Sequence, residues 1–218
     1  MSTTRQTYLK RYTSLSAALH LLHSMKINLL DPKSWDDKND VYFMDAYMRY
    51  KKAKFIAAVC FTQATETYHH WKVFAPSSDG VCIEFDKNLT ETAARSIPNV
   101  FLGNMDYKTI KQVQEFKNLK MDRLPFTKRK PYEDESEFRV GCTSSDTSKE
   151  PASISINSKF IRRITLSPWM HQSIANSVKK TIKSIPSCGN LSVVRSTLVG
   201  NLEWQQAAAV IEAIEELV

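Results

Sequence analysis

The segment YEDESEFRV, residues 132–140, concentrates charged side chains in a pattern that suits chemistry. It holds four carboxylates from Glu133 to Glu137 and then an arginine, Arg139. Residues two apart on a β-strand share a face, so the spacing predicts that Glu135, Glu137 and Arg139 point the same way. Carboxylates held together can stabilise a developing positive charge and accept a proton. The same spacing fits an exposed ladder of salt bridges without catalysis, and both interpretations stay open here.

The elements that would position these residues alternate along the chain as short strands and helices. A strand in TYLKRYTS leads into a helix in SLSAALHLLHSM, whose apolar residues recur at helical spacing behind a serine cap. Strands are predicted in GVCIEFD and SEFRVGC, and a last central strand is predicted in LSVVRST. Helices are predicted in IKQVQEFKNL and, at the end of the sequence, in WQQAAAVIEAIEELV. Roughly eight short strands with helices inserted early predict a mixed α+β fold, in a single domain spanning residues 1–218.

The composition is that of an ordinary globular protein. Of the 218 residues, 42% are hydrophobic and 24% charged, which supports one sizeable core. No apolar run approaches the roughly 20 residues that a membrane span requires, and the N-terminus lacks an export signal, so we expect a cytoplasmic protein without membrane contact. Cys60, Cys82, Cys142 and Cys188 lie far apart without metal-ligand spacing, which favours reduced core thiols.

The charge of the chain gives a first indication of its partner. A formal net charge of +7 favours association with polyanions such as nucleic acid. Lys128, Arg129 and Lys130 lie in FTKRKPY, immediately before the carboxylate-rich segment. Beside an active site, these cations could hold phosphates while Tyr132 stacks on a base. The alternative interpretation is a set of solvated surface side chains.

Other common catalytic centres are absent from the sequence. It contains no G-x-G-x-x-G, G-x-x-x-x-G-K-[ST] or G-x-S-x-G motif, which argues against a Rossmann or P-loop nucleotide site and against an α/β-hydrolase. His69 and His70 are adjacent on a predicted helix, so they point to different faces and do not suit a shared metal ion. We therefore expect no metal. Glu84, in VCIEFD, is expected on a solvated strand face.

Four pieces of the chain, taken in order, resemble a widespread bacterial family. They are RYTSLSAALHLLHSMKINLLDPKSWDD, CFTQ, HHWKVFAPSSDGVCIEFD and YEDESEFRV. The family opens on an Arg-Tyr-Thr strand and later pairs a Trp-containing helix with a Gly-Val-Cys strand and an E-x-E-x-R strand. WDDKND departs from it by lacking the proline that this loop usually carries. The family in turn resembles the ADP-ribosyltransferase fold, with split central sheets, which includes toxins that modify nucleic acids.

This resemblance implies a role for each of several residues. ADP-ribosyltransferases carry a basic or aromatic residue on the first strand, a hydroxyl residue on a second strand and a glutamate on a later one. These places fall on Arg11 and Tyr12, on Thr62, and on Glu137 with Glu135 before it. The resemblance also implies NAD as cosubstrate, without a metal, and Trp71 is a further aromatic residue that could stack on nicotinamide.

The chemistry of NAD cleavage suits these residue types. Breaking the glycosidic bond to nicotinamide develops positive charge on the ribose, as in glycoside hydrolysis, and Glu137 would stabilise that charge. Glu135 would orient the incoming nucleophile or take its proton. Arg11 would pair with the phosphates of NAD through its fork of donors, and Tyr12 would stack on nicotinamide.

Three functions are compatible with the sequence. The first is an ADP-ribosyltransferase that acts on nucleic acid, RNA or DNA, in the manner of a bacterial toxin or phage-defence effector with a neutralising antitoxin. An alternative form of this function transfers ADP-ribose to a protein. The second is a non-catalytic module that binds nucleic acid or protein on the same fold. The third is an NAD glycohydrolase that uses water as the acceptor. Consumption of NAD with and without RNA, DNA or lysate separates the three.

Overall fold

The protein is built around a large β-sheet flanked by helices. The computed structural model describes residues 8–115, 120–146 and 152–215. Its strands are β1 (Tyr8–Ser14), β2 (Lys26–Asn28), β3 (Phe55–Thr62), β4 (Gly80–Asp86), β5 (Val100–Asn104), β6 (Asp106–Lys108), β7 (Thr127–Arg129), β8 (Glu137–Ser144), β9 (Ser153–Ser155), β10 (Ile161–Leu166) and β11 (Ser192–Arg195). Its α-helices are α1 (Leu15–Ser24), α2 (Lys38–Tyr50), α3 (Tyr68–Phe74), α4 (Lys87–Ala94), α5 (Ile110–Gln114), α6 (Gln172–Ser184) and α7 (Leu202–Glu215).

Two of the predicted helices, α5 and α7, are found where the sequence predicts them, but each is described over a shorter range than the prediction. The helix predicted in IKQVQEFKNL is described as α5, and residues 116–119 of that prediction lie outside the described residues. Likewise, α7 is described to Glu215, and residues 216–218 of the predicted terminal helix lie outside. Within the described ranges, no helix is long and apolar enough to cross a membrane.

Seven strands form the central sheet, in the order β11-β10-β4-β1-β3-β8-β5. β1 pairs with β4 along its whole length but with β3 at a single position, where Lys10 lies opposite Thr62. The sheet therefore consists of two blocks joined at one point, which agrees with the predicted split of the central sheet. The mixed α+β class is confirmed, whereas one domain over residues 1–218 stays a prediction.

One strand lies elsewhere than the sequence suggested. In the described part of the chain β11 pairs only with β10 and ends the sheet, so the expectation of a central strand in LSVVRST is wrong. The apolar pair Val193 and Val194 was misleading, because Val193 is buried while Val194 is 40% exposed. An edge strand needs only one buried face.

The face of the sheet under α1 and α6 carries the main hydrophobic core. Strand alternation puts Val81, Ile83 and Phe85 of β4 on this face, and all three are fully buried. α1 begins after Ser14, whose hydroxyl accepts a hydrogen bond from the N–H of Ala17, as an N-cap should. Apolar residues of α1 and α6 then pack into the same cluster.

The opposite face of β3 and β8 carries a smaller core and the charged residues. Met44 and Tyr47 of α2 pack there with Ile56 and Ala58 of β3. Ala58 lies opposite Gly141 of β8, and directly opposed residues share a face. Arg139 is two residues before Gly141, so it lies on this same face. α2 therefore covers the strand on which the candidate catalytic residues lie.

The cysteines agree with the sequence-based prediction of reduced core thiols. All four are free, and Cys82, Cys142 and Cys188 are buried, while Cys60 is partly buried. Burial raises the pKa of Cys142 and of Cys188, which keeps both thiols protonated at neutral pH. These cysteines fill space in the core.

Candidate active site

Three neighbouring strands bring predicted site residues to one face of the sheet. Thr62 of β3 lies opposite Lys10 of β1 and opposite Glu137 of β8. Because directly opposed residues share a face, these three residues form a row across the sheet, and Tyr12, two residues after Lys10, lies on the same face. The hydroxyl of Thr62 accepts a hydrogen bond of 3.0 Å from the N–H of Ala64. The row crosses the single join between the two blocks of the sheet.

Arg11 lies on the other face of β1, opposite Ile83, because successive strand residues alternate. Its side chain is partly buried, and its guanidinium makes no hydrogen bond or ion pair with the described residues. Burial lowers the pKa of Arg11, and the nearby Cys60 thiol opposes that shift. The guanidinium of Arg11 is therefore near the Cys60 thiol. A partly buried cation without a partner is unfavourable, so this group suits an anionic ligand.

The two glutamates of the E-x-E motif do not lie on one strand. Glu135 ends a 3-10 helix that begins at Lys130, whereas Glu137 begins β8. Between them Ser136 has a φ of 42°, in the left-handed region, which redirects the chain. The prediction that Glu135 shares a strand face with Glu137 is therefore wrong. Both carboxylates nevertheless bind the same ammonium group, that of Lys128.

Arg139 is the centre of a buried ionic network. Its side chain is fully buried, and its Nη1 and Nη2 donate to the two carboxylate oxygens of Asp40 at 2.8 and 2.6 Å. Its Nε donates to Oε1 of Glu137 at 2.8 Å, and Nη1 also donates to the carbonyl of Pro125 at 2.9 Å. The ring of Trp35 lies 4.7 Å from the guanidinium carbon. The cation is thus paired and hydrogen-bonded, as burial of a charge requires.

Lys128 extends the network from Glu137 towards solvent. Its Nζ donates to Oε2 of Glu137 at 3.1 Å and to Oε2 of Glu135. The exposed fraction of the side chain is 17% for Glu135, 9% for Lys128 and 4% for Glu137. The alternative of an exposed ladder of salt bridges is therefore wrong, since only Glu135 is near the surface.

The network gives the two glutamates different protonation behaviour. Burial disfavours the charged form of Glu137, but the attraction of Arg139 and Lys128 outweighs it and lowers the pKa of Glu137 to about 2. Burial raises the pKa of Glu135, although Lys128 acts against the shift. A permanent carboxylate suits electrostatic stabilisation, and a carboxyl group with a raised pKa suits proton transfer. The arrangement can therefore support two distinct chemical roles.

Two further side chains contact Glu137 and fix its position. The hydroxyl of Tyr107 accepts a hydrogen bond of 2.8 Å from the backbone N–H of Glu137, and the Cys60 thiol lies close to the carboxylate. Burial raises the pKa of Tyr107 to about 12 and the pKa of Cys60 well above its ordinary value. Both groups are therefore protonated and neutral at pH 7.

Several residues of this network were given no role by the sequence analysis. They are Asp40, Trp35, Cys60 and Tyr107, together with the position of Lys128 between two glutamates. The one available signal was Arg139 itself, because an arginine among apolar strand residues predicts a buried acidic partner. The sequence contains 23 acidic residues, and local spacing does not select Asp40 among them.

An aromatic cluster covers the β1 side of the same face. The ring of Trp71 packs edge-on against Tyr12, with centroids 4.9 Å apart, and the His70 ring lies 5.9 Å from Tyr12. Trp71 is fully buried and donates from Nε1 to Glu66 at 2.7 Å, so its ring has no face open to solvent. By contrast, Nδ1 of His70 is buried without a hydrogen-bond partner in the described part of the chain, and the buried Tyr12 hydroxyl lies beside the Cys82 thiol.

The two histidines lie in different environments, as the sequence predicts. His69 is exposed, whereas His70 is buried and its Nε2 lies 3.1 Å from the carbonyl oxygen of Asp134. His70 therefore connects α3 with the 3-10 helix that ends at Glu135. Over the described ranges, no group of three or more His, Cys, Asp or Glu residues is arranged to hold a metal ion.

The residues predicted to bind phosphate separate into two groups. Lys128 is engaged by two glutamates, and its Nζ lies 4.8 Å from the Tyr132 ring. Arg129 and Lys130 are exposed. Lys130 pairs with Glu133 at 2.6 Å, an exposed contact of small energy, and Arg129 makes no such contact with the described residues. Of these three cations, Arg129 is therefore unpaired within the described residues and Lys130 is held only by an exposed contact, so both can meet a phosphate.

Glu84 is buried, so the expectation of a solvated strand face is wrong. Its side chain is 3% exposed, and it accepts from Nη2 of Arg163 at 2.6 Å, with Nη1 of Arg162 at 3.6 Å. The reason is the place of its strand, since β4 lies inside the sheet between β1 and β10. An interior strand covered on both faces buries both sets of side chains.

Comparison with known proteins finds similarity only among solved structures. No protein-family model matches the chain, and no curated protein matches it. It is similar to Thermus sp. 2.9 DarT in complex with ADP-ribosylated ssDNA, at 12% identity and a TM-score of 0.45, over 88% of this chain and 94% of that one. The same DarT in complex with NAD+ is 9% identical, with a TM-score of 0.45 over 89% of this chain and 98% of that one. Thermosipho africanus DarTG in complex with ADP-ribose is 8% identical, with a TM-score of 0.39 over 88% of this chain and 50% of that one.

Proposed function

We propose that this protein is an NAD-dependent ADP-ribosyltransferase that acts on nucleic acid. The observation that carries the proposal is the row in which Tyr12, Thr62 and Glu137 share one face of three adjacent strands. These residues match the aromatic, hydroxyl and carboxylate places of the ADP-ribosyltransferase pattern that the sequence resembles. Arg139 and Lys128 also hold Glu137 as a carboxylate, which is the form that the reaction requires.

The two glutamates would serve the two halves of the transfer. Cleavage of the bond between ribose C1′ and the nicotinamide nitrogen sends the electron pair to nicotinamide and leaves positive charge on the ribose. Glu137 presents a fixed negative charge for that transition state. Glu135, nearer to solvent, accepts the proton that the acceptor atom loses as it bonds to C1′. Lys128 is bound to both carboxylates and holds them next to each other.

Two groups near the join of the sheet, on opposite faces of β1, have unused capacity to bind NAD. The Arg11 guanidinium has no anionic partner among the described residues, and its fork of donors matches a pyrophosphate. Nδ1 of His70, beside Tyr12, is buried and unpaired within the described residues, and such a group is rare in folded proteins unless a ligand or water completes its hydrogen bonding. These groups support NAD as the cosubstrate.

The choice of nucleic acid as acceptor rests on charge near the catalytic glutamates. Arg129 and Lys130 are exposed at the start of the 3-10 helix that ends at Glu135. A phosphate bound there would position the strand close to the residue that accepts the proton. A role as a bacterial toxin or phage-defence effector in the cytoplasm, held by a neutralising protein, follows from the family resemblance and is part of the same proposal.

A second candidate is a non-catalytic module that binds nucleic acid or protein. The observation in its favour is that both oxygens of Glu137 are already bonded, to Arg139 and Lys128. Its side chain is also 4% exposed. A glutamate enclosed in this way can serve the fold alone.

Incubation with labelled NAD and separated DNA, RNA and protein fractions of a lysate tests the proposal. The expected product is labelled nucleic acid that nuclease destroys. Label that survives nuclease but disappears on proteolysis would move the acceptor to protein. Release of nicotinamide without a labelled product would indicate a glycohydrolase, and intact NAD in every fraction would favour the binding module.

A further inference from the structure

The helix α7 exposes large apolar side chains along its first half. Every side chain from Leu202 to Ala208 is exposed, and the exposed fraction is 73% for Leu202 and 82% for Trp204. A helix of 14 residues is marginal in water by itself, because most of the stability of a helix in a protein comes from packing its apolar face. α7 therefore needs a partner that covers this face.

The segment before α7 holds the start of the helix in place. Ser196 is buried, and its hydroxyl donates to Oε1 of Glu66. Asn201 donates from Nδ2 to Oγ1 of Thr197 at 3.3 Å, and its Oδ1 caps α7 by accepting from the N–H of Trp204 at 2.9 Å. These bonds fix the direction in which α7 leaves the sheet, and in that direction its first seven side chains stay exposed. The partner is therefore another molecule.

A groove of about 340 Å³ lies between α1 and α6, and residues of these two helices alone line it. Leu15 and Leu19 of α1 and Ile174 and Val178 of α6 form its apolar wall, and Ile174 is 55% exposed. Its volume is within the range of pockets that receive apolar groups. A tryptophan that fills such a pocket is a common anchor of protein interfaces, and the exposed Trp204 can serve as that anchor.

The helix α7 and the groove carry opposite charge. α7 contains no lysine or arginine but three glutamates, Glu203, Glu212 and Glu215. α6 contains three exposed lysines, Lys179, Lys180 and Lys183. Neither α1 nor α6 contains an aspartate or a glutamate. Complementary charge favours contact of α7 with the α1–α6 groove over contact of α7 with another α7.

We propose that α7 of one chain docks in the α1–α6 groove of a second copy, which returns the same contact and forms a two-fold dimer. Trp204 fills the groove beside Leu19 and Ile174, and the acidic helix lies along the basic helix α6. Because helix and groove belong to one chain, two-fold exchange closes with two identical contacts, whereas one-way exchange would grow into a filament. This interface goes beyond the proposed function and uses none of the candidate catalytic residues.

The oligomeric state of the full-length protein tests the contact. Light scattering coupled to size exclusion, at about 1 to 100 μM, the weak end of the range for protein interfaces, should give twice the mass of one chain for the wild type. Trp204→Ala truncates an exposed side chain, so the fold is retained, and it should weaken the dimer at least about 30-fold, the effect of one interface hot spot. Ile174→Glu puts a charge into the groove and should weaken the dimer in the same way.

Two substitutions elsewhere are the matched controls. Tyr42→Ala removes an aromatic side chain that is 65% exposed, and Ile110→Glu adds a charge at a site that is 59% exposed. Neither residue belongs to α7 or lines the groove. Both variants should therefore dimerise as the wild type does.

Charge reversal on α6 tests which surface receives α7. Lys180 is three residues after Ser177 of the groove wall, so it lies beside the groove. Lys179 is one turn after Ala175 and Asn176, which do not line the groove. Lys180→Glu should weaken the dimer about fivefold, the upper end for one exposed charge pair, whereas Lys179→Glu, with the same change in net charge, should leave it unchanged.

Three results would overturn the proposal. They are a monomer at every concentration, a dimer that either Trp204→Ala or Ile174→Glu leaves intact, and equal effects of Lys180→Glu and Lys179→Glu. These measurements contain neither NAD nor nucleic acid, so their outcome is independent of the transfer assay.

Discussion

Nε of Arg139 donates a hydrogen bond of 2.8 Å to Glu137, two residues earlier on β8, and both side chains are buried. Residues two apart on a strand share a face, which puts the pair within reach. Arg139 also binds both oxygens of Asp40 on α2, 99 positions earlier in the chain. The position and the charge of Glu137 are thus fixed by a helix and a strand together.

The stability of the fold should depend on pH through Glu137. Its folded pKa of about 2 is below its ordinary value of 4.5, so the unfolded chain takes up the proton first as the pH falls. The stabilisation is fully present above about pH 4.5 and is lost towards pH 2, a change of about 3 kcal/mol. Denaturant titrations of wild type and Glu137→Gln across this window should therefore converge at low pH. A difference that is the same at every pH would contradict this assignment.

Binding of NAD should weaken when Arg11 is truncated. Arg11→Ala removes the unpaired guanidinium and should cost about 1.5 to 3 kcal/mol of binding free energy, the usual value for a hydrogen bond to a charged group. Arg11→Lys should recover only part of it, because an ammonium cannot form the bidentate fork. Titration calorimetry on the Glu137→Gln background measures binding without turnover, with exposed Arg95→Ala as the control. Unchanged affinity in both Arg11 variants would place the pyrophosphate elsewhere.

Glu135 should matter more for transfer than for hydrolysis. If it takes the proton of the acceptor, Glu135→Ala should slow transfer to nucleic acid by about 100-fold or more, the lower end of what a positioned general base contributes. Slow hydrolysis of NAD by water should fall less. Parallel assays of labelled product and released nicotinamide check this, and equal losses in both would assign Glu135 to NAD instead.

The salt dependence of oligonucleotide binding should report the contacts of Arg129 and Lys130. Each phosphate contact contributes about 0.7 to the log-log slope for single strands, so replacing both with glutamine should make the slope shallower by about 1.4. Lys179→Gln with Lys180→Gln is the matched control, since both lysines are exposed on α6. An equal change in the two double variants would mean that binding follows net charge and no particular site.

Local patterns predicted the elements that carry the site. The alternation in GVCIEFD and SEFRVGC identified β4 and β8, and the serine cap identified α1. The sequence did not reveal the turn at Ser136, because a non-glycine residue with positive φ is uncommon. That turn takes Glu135 out of the strand and lets Lys128 bind both glutamates.

Contacts between distant segments could not be read from the sequence. Arg139 meets Asp40 only because β8 and α2 pack on the same face of the sheet. Glu84 is buried because β4 lies between β1 and β10, and strand order is not encoded in local alternation. The groove between α1 and α6 likewise forms where these two helices pack side by side.

The most direct test of the central claim is transfer of labelled ADP-ribose to nucleic acid by wild type and by Glu137→Gln. The substitution keeps the shape of the side chain and removes its charge. If Glu137 stabilises the ribose cation, the variant should lose at least about 100-fold in rate while its circular dichroism spectrum stays that of the wild type. A folded Glu137→Gln variant that transfers ADP-ribose at the wild-type rate would contradict the assignment.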